Sequence, residues 1–102
     1  AAGAGWAAAP VLVGEAVRAE VELTNSVGLH ARPAALVARA LAPLQASVLV
    51  RFGAEEADAK SVLALMALGA PGGSRVEVVA TGVEAAEAVR RVEELAARRF
   101  DE

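Results

Sequence analysis

The sequence has no cysteine, no tyrosine and few aromatic residues of any kind, and each shortage narrows what the protein can be. Without cysteine the chain cannot form a disulfide framework, a thiolate nucleophile or a cysteine-ligated metal site. Hydrophobic residues make up 56% of the chain but aromatics only 3%, so the core must be built from Ala, Val and Leu. Such small side chains favour close contact between helices and a sheet.

Charge and hydropathy argue against two further classes, nucleic-acid-binding proteins and proteins that insert into or cross a membrane. The basic residues are scattered rather than clustered and the formal net charge is -3, so we expect no nucleic-acid partner. No apolar run approaches the ~20 residues that a membrane-spanning helix needs, and the first segment lacks the positive charge that begins a signal peptide. We therefore expect a cytoplasmic protein that does not insert into a membrane.

The two parts of the chain differ in composition. Residues 1–17 are rich in Ala and Gly, include Pro10 and match neither a helix nor a strand pattern, which predicts a flexible leader or linker. Residues 18–102 carry regular hydrophobic patterns and have a length that suits one compact domain.

The hydrophobic periodicity of residues 18–102 changes several times between the period of a strand and that of a helix. Alternation predicts strands over 18–24, 46–52 and 75–80, with a hairpin at Gly53-Ala54 that places Ala57 and Ala59 inward. Helical spacing predicts a helix that follows His30 and stops before Pro43, a short helix over 61–68 and a long helix after Gly82. This order, strand, helix, strand, strand, helix, strand, helix, predicts an α+β domain with helices on one face of an antiparallel sheet.

The last helix has a charge pattern that supports its assignment. Glu87 and Arg91 are four residues apart, as are Glu94 and Arg98, so we expect two ion pairs along its surface.

His30 is the only histidine and the only side chain able to act as a neutral nitrogen nucleophile near neutral pH. It stands directly before the first predicted helix, whose opening amides, those of Ala31 and Arg32, have no partner inside the helix. Arg32 could form charge-assisted bonds to an anion there. Pro33 stiffens this first turn, and Gly28 could turn the loop so that His30 points outward. Together these features indicate a site that holds a phosphoryl group reversibly.

The octapeptide Gly28-Leu29-His30-Ala31-Arg32-Pro33-Ala34-Ala35 resembles the active-site signature of HPr, the histidine-containing phosphocarrier of the bacterial phosphoenolpyruvate:sugar phosphotransferase system. A second stretch, Lys60 to Gly69, is similar to that family's segment around a regulatory serine, and the resemblance spans about Arg18 to Phe100. It implies the HPr fold, an open-faced β-sandwich with a four-stranded antiparallel sheet and three helices on one face.

The resemblance also implies a carrier rather than an enzyme, a monomer without cofactor or metal. His30 would accept a phosphoryl group on Nδ1 from phospho-Enzyme I and pass it to a sugar-specific EIIA component or to a kinase acceptor. Arg32 would stabilise the phosphoryl group, and the backbone amides of Ala31 and Arg32 would bind it.

The family's second motif carries over to the Ser61 segment. Ser61 corresponds to a residue that a serine kinase modifies, and a phosphorylase restores, in some lineages. Val62, Leu63 and Met66 correspond to an apolar docking patch, although their spacing would also fit ordinary core packing. Ser61 is in addition a favoured helix N-cap whether or not it is modified.

Three hypotheses follow. The first is a phosphocarrier for sugar uptake, and the second is an HPr-like module of a larger phosphotransferase chain, such as the dihydroxyacetone-kinase phosphotransferase subunit. The third is a non-catalytic binding or regulatory module in which His30 only caps a helix.

Overall fold

The computed structural model describes residues 16–102, so all but the last two residues of the predicted leader lie outside the described residues. The element order matches the predicted one. The strands and helices are β1 (Val17–Glu22), α1 (Ala31–Leu41), β2 (Ser47–Phe52), β3 (Glu55–Asp58), α2 (Val62–Ala67), β4 (Arg75–Thr81) and α3 (Ala85–Ala97), followed by a short turn over Arg99–Asp101.

The four strands form one antiparallel sheet in the order β1-β4-β2-β3. The central strand β4 pairs with both β1 and β2, so that Val78 lies opposite Ala19 on one side and Val50 on the other. Alternate residues of β4 are buried, as the period of a strand requires. The α+β fold with an antiparallel sheet and three helices is confirmed.

The two faces of the sheet have different chemistry. All three helices pack on one side, where α3 lies against β1 and β4, and α1 lies against α2 and α3. The other side carries cross-strand ion pairs, among them Arg18 with Glu77 at 3.5 Å and Arg51 with the same carboxylate at 3.6 Å. Exposed pairs of this kind contribute little stability each, but they keep the uncovered face hydrated.

The core consists mainly of small aliphatic side chains, as the composition predicts. Ala34 in α1, Ala80 in β4 and Ala88 in α3 are fully buried, which lets the helices approach the sheet closely. Leu41, Leu65 and Phe100 are the larger buried side chains, and burial of each contributes about 1.5–3 kcal/mol. None of the helices in residues 16–102 has both the length and the apolar run needed to cross a bilayer.

One of the two ion pairs predicted in α3 forms and the other does not. Glu87 accepts from Arg91 at 2.9 Å and also from Arg90 at 2.7 Å, and these bonds lower the pKa of Glu87 to about 2. The predicted pair of Glu94 with Arg98 is wrong. The helix ends at Ala97, so the Arg98 guanidinium turns to Asp101 at 3.1 Å, and Glu94 pairs with Arg90 instead.

The first strand also differs from its prediction, because it runs over Val17–Glu22 rather than 18–24. Leu23 bonds to a turn instead of a strand. Its N–H donates to Ser74 O at 2.9 Å, and its carbonyl accepts from Gly73 N at 2.8 Å. The Thr24 hydroxyl donates to the carbonyl of Ala96 in α3. The chain therefore leaves the sheet while still held by neighbouring segments.

The chain after α3 takes a left-handed turn that the periodicity did not predict. Arg99, Phe100 and Asp101 have φ angles of 55°, 52° and 60°. A left-handed residue other than Gly costs about 1–2 kcal/mol, and such residues normally occur singly. Phe100 is 2% exposed, so burial of its ring offsets part of that cost.

Candidate functional site

The site is built on the β1–α1 loop, residues 23–30. The α2–β4 loop, residues 68–74, packs against this loop and supports it. Gly28 has φ +68°, and a Cβ there would lie 2.1 Å from Ala70 O. A Cβ on Gly72 would lie 2.3 Å from Ser26 O. Both distances are far below van der Waals contact, so the two backbones touch directly and only glycine fits at either position.

Hydrogen bonds complete this contact between the loops. The N–H of Leu29 donates to Ala70 O at 3.0 Å. The carbonyl of Gly28 accepts twice, from the N–H of His30 at 2.9 Å and from Nδ2 of Asn25 at 2.8 Å. Asn25 is 2% exposed, and its Oδ1 has no hydrogen-bond partner within residues 16–102. The conformation of the backbone at His30 is thus determined from several sides.

His30 is the N-cap residue of α1, with an extended backbone at φ -82° and ψ -176°. Its carbonyl accepts from the N–H of Ala34 at 2.9 Å, which begins the helix. Its imidazole is exposed and makes no capping hydrogen bond. The ring is therefore not used to cap the helix.

The first turn of α1 offers unused hydrogen-bond donors next to that ring. The N–H groups of Ala31 and Arg32 have no acceptor among the described residues, and Pro33 has no N–H. These amides carry the positive end of the helix dipole and can bind an anion. The side chain of Arg32 is exposed and forms no ion pair in the part of the chain that the structure describes. An anion attached to His30 would meet donors that are already in place.

The second motif forms the start of α2. Ser61 is the N-cap, and its Oγ accepts from the N–H of Ala64 at 3.1 Å, as predicted. The three predicted docking residues separate into two groups. Leu63 is 79% exposed and Met66 is 38% exposed, whereas Val62 is half-buried and packs against the core. Val62 therefore offers less exposed surface than Leu63 does.

The sequence is matched over residues 17–98 by the family described as PTS-HPr, PTS HPr component phosphorylation site. The chain belongs to the HPr family. The match begins at the first residue of β1 and ends just beyond α3, so it spans every element of the sheet and all three helices.

Relatives within this family include both short carriers and parts of long chains. The phosphocarrier protein NPr of Escherichia coli K12 is 41% identical over 87 residues, which is 84% of this chain and 97% of NPr. The phosphoryl donor subunit DhaM of a PEP-dependent dihydroxyacetone kinase from Providencia stuartii is 34% identical over 86 residues, which is 84% of this chain but 18% of DhaM.

The solved structures agree with the sequence comparison. The HPr of Thermoanaerobacter tengcongensis superposes with a TM-score of 0.80 at 31% identity, covering 84% of this chain and 97% of that HPr. Named members of the family are phosphocarriers, and this HPr-family chain is accordingly a carrier of phosphoryl groups and not an enzyme.

Two residues of the site were missed by sequence reasoning. Asn25 is a buried residue of the loop, and its only signal in the sequence was its place in a turn-forming stretch. Val27 is 55% exposed on the same loop, adding an apolar side chain close in sequence to His30. Neither belongs to a repeating pattern, so periodicity could not have found them.

The direct backbone contact makes a stability prediction with an internal control. Gly28 and Gly53 have similar φ angles, +68° and +63°, but a Cβ on Gly53 would meet nothing within 4 Å. Gly53→Ala should lower the free energy of unfolding by about 1–2 kcal/mol, the cost of the left-handed conformation alone. Gly28→Ala should lower it by about 2–5 kcal/mol, because overlap with Ala70 is added. Urea unfolding of both variants measures the difference, and equal losses would contradict the close contact.

Proposed function

We propose that His30 is the residue that carries the phosphoryl group in this HPr-family domain. The observation that carries the proposal is the exposed imidazole of His30, without a capping bond, beside the unpartnered amides of Ala31 and Arg32. The third hypothesis, a non-catalytic module in which His30 only caps the helix, is not favoured, because the ring makes no such bond.

The transfer needs no cofactor. A lone pair on Nδ1 of His30 attacks the phosphorus of phospho-Enzyme I, a new P–N bond forms, and the bond to the donor's nitrogen breaks and returns its electron pair there. Phosphoryl transfer of this kind depends on position and on stabilisation of charge on the three equatorial oxygens. The two amides would bind those oxygens, and the planar guanidinium of Arg32 would add charge-assisted bonds.

The proposed donor and acceptor follow from the phosphoryl transfer that members of the family carry out. The proposed donor is phospho-Enzyme I, which is itself phosphorylated by phosphoenolpyruvate. Because phosphoenolpyruvate is a cytoplasmic metabolite, the proposed compartment is the cytoplasm. The acceptor is a sugar-specific EIIA component. An acceptor linked to a cytoplasmic kinase is the second candidate, since the relative DhaM carries an HPr-like segment within a dihydroxyacetone-kinase phosphoryl donor.

The exposed face of α2 is proposed as the docking surface for these partners. Leu63 and Met66 present apolar area beside α1, against which α2 packs. A phosphate on Ser61 would place two negative charges at the edge of that face and would weaken docking of an acidic partner. A serine kinase and phosphorylase are accordingly proposed as further partners.

Labelling should identify His30 directly. Incubation of the chain with Enzyme I and labelled phosphoenolpyruvate should give one acid-labile, alkali-stable phosphate on each chain, and His30→Ala should give none. Circular dichroism should show that His30→Ala folds, because the side chain is exposed. Label retained in His30→Ala would contradict the assignment of His30 as the phosphoryl carrier, as would the absence of label on the unmodified chain.

Arg32→Ala should slow transfer without unfolding the domain. Loss of a hydrogen bond to a charged group costs about 1.5–3 kcal/mol, which corresponds to roughly a 10- to 100-fold lower single-turnover rate. Arg18→Ala is the matched control, since it removes one exposed positive charge on the uncovered face of the sheet. A large fall in thermal stability of Arg32→Ala, or a rate equal to that of Arg18→Ala, would contradict the proposed role.

The docking face should respond to charge at its edge. Leu63→Ser removes apolar area from the docking face, and Ser61→Asp adds a negative charge at its edge. Each should raise the KM of the reaction with Enzyme I by roughly tenfold, a change of about 1.4 kcal/mol. Ser61→Asn is the matched control, because Asn and Asp both cap a helix and differ here in charge. The steady-state rate of labelling at varied carrier concentration measures the KM. If Ser61→Asn raises the KM as much as Ser61→Asp, the effect comes from the cap and not from charge.

A further inference from the structure

The last residues of the chain form a compact hook that the carrier chemistry described so far does not use. This C-terminal hook, residues 98–102, contains the left-handed turn and anchors itself through Phe100, which is 2% exposed. Its backbone is closed by bonds from Asp101 N to Arg98 O and from Glu102 N to Arg99 O, both at 3.0 Å. A strained backbone conformation persists only where surrounding contacts stabilise it, so the hook must be held by contacts with the rest of the domain.

The hook reaches the β1–α1 loop through one carboxylate. Glu102 Oε1 accepts from the N–H of Ser26 at 2.8 Å, and Oε2 accepts from the hydroxyl of the same residue. Two residues earlier, the Thr24 hydroxyl donates to Ala96 O at the end of α3. The C-terminal end of the chain therefore holds the loop at alternate residues.

The carboxylate of Glu102 is charged at neutral pH. The hydroxyl and N–H of Ser26 both lower the pKa of Glu102, and Arg99, at 3.3 Å, lowers it further. Arg99 is the charged group that faces Glu102 from the hook, and Ser26 faces it from the loop. The contact is thus complete above the ordinary carboxyl pKa of 4.5 and is lost as pH falls through the lowered value.

Ser26 depends on this contact. Within residues 16–102, Ser26 donates no hydrogen bond except those to Glu102, and Val27 makes none. The next residue is Gly28, whose carbonyl accepts the N–H of His30. The α2–β4 loop supports the Gly28 end of this segment, and Glu102 supports the Ser26 end.

We propose that Glu102 is a positioning residue for phosphoryl transfer. It acts through Ser26, holding the β1–α1 loop so that His30 keeps the extended backbone that presents its ring beside the amides of Ala31 and Arg32. Glu102 itself does not touch the phosphoryl group. The inference rests on the proposed function of His30 and assigns a role to a residue that lies 76 positions after Ser26 in the sequence.

Single-turnover transfer from phospho-Enzyme I tests the role. Glu102→Ala should lower the rate constant at saturating Enzyme I by about three- to tenfold and leave the KM unchanged, because geometry and not docking is altered. Glu102→Gln should recover part of the rate, since its amide can still accept from the N–H of Ser26. Asp101→Ala is the matched control. It removes the same charge from the same hook, but its carboxylate contacts Arg98 and not the loop.

Amide NMR provides a readout that does not depend on transfer. The amide resonance of Ser26 should shift in a single acid transition below pH 4.5, following the Glu102 carboxyl. The transition should persist in Asp101→Ala and vanish in Glu102→Ala. Ser26→Ala combined with Glu102→Ala should transfer no more slowly than Glu102→Ala alone, because both remove the same contact.

The outcomes separate this inference from the function on which it rests. If the unmodified chain takes no phosphoryl group, the proposed function fails, and the inference fails with it. If the unmodified chain is labelled but Glu102→Ala transfers as fast as Asp101→Ala, the positioning role alone is overturned. A change in KM without a change in the saturated rate would also overturn it, because that result would describe a docking residue.

Discussion

The direct contact between two loop backbones at Gly28 and Gly72 is the constraint on which the site depends. A helix N-terminus is open to solvent in most proteins, and a histidine in front of it would ordinarily sample many positions. Here the carbonyl of Ala70 receives the N–H of Leu29, and the carbonyl of Gly28 receives the N–H of His30. The entrance to α1 is therefore set by a neighbouring loop rather than by the helix alone.

The fold brings these loops together by means of its smallest residues. Buried alanines let α1 and α3 approach the sheet closely, and the ion pairs on the opposite face keep that face hydrated without a third layer of structure over it. The sheet order puts β1 antiparallel beside β4, with Glu22 opposite Arg75. The loop that leaves β1 and the loop that enters β4 therefore lie at the same end of these strands. The position of the site is thus a consequence of strand order, and the aliphatic composition makes the necessary packing density attainable.

Much of this could be predicted from the sequence, because alternation and helical spacing are local signals. The strands and helices occur in the predicted order, α1 stops before Pro43, and Ser61 caps α2. The octapeptide around His30 resembles the HPr signature, and the family match over residues 17–98 confirms that family. What local patterns could not predict is contact between distant segments. Gly72 lies against Ser26, 46 residues earlier by their numbers in the sequence, and nothing in either stretch announces the other.

The remaining errors have physical causes of the same kind. Arg98 pairs beyond the end of α3 because the chain turns left-handed at residues that ordinarily avoid that conformation, so a rule for helix spacing did not apply. Strand β1 ends at Glu22 because Leu23 bonds to the turn at Gly73 and Ser74 and not to a neighbouring strand. Asn25 was missed because burial of a polar residue depends on what covers it.

The paired glycines have a consequence for how such a site can be transplanted or can diverge. The signature around His30 is not a portable peptide, since its backbone is shaped by a second loop that must itself bring a glycine to within touching distance. A graft of the octapeptide onto another helix would keep the letters and lose the geometry. A substitution in either loop acts on the other as well, so the two loops, although separated along the chain, behave as one unit of structure.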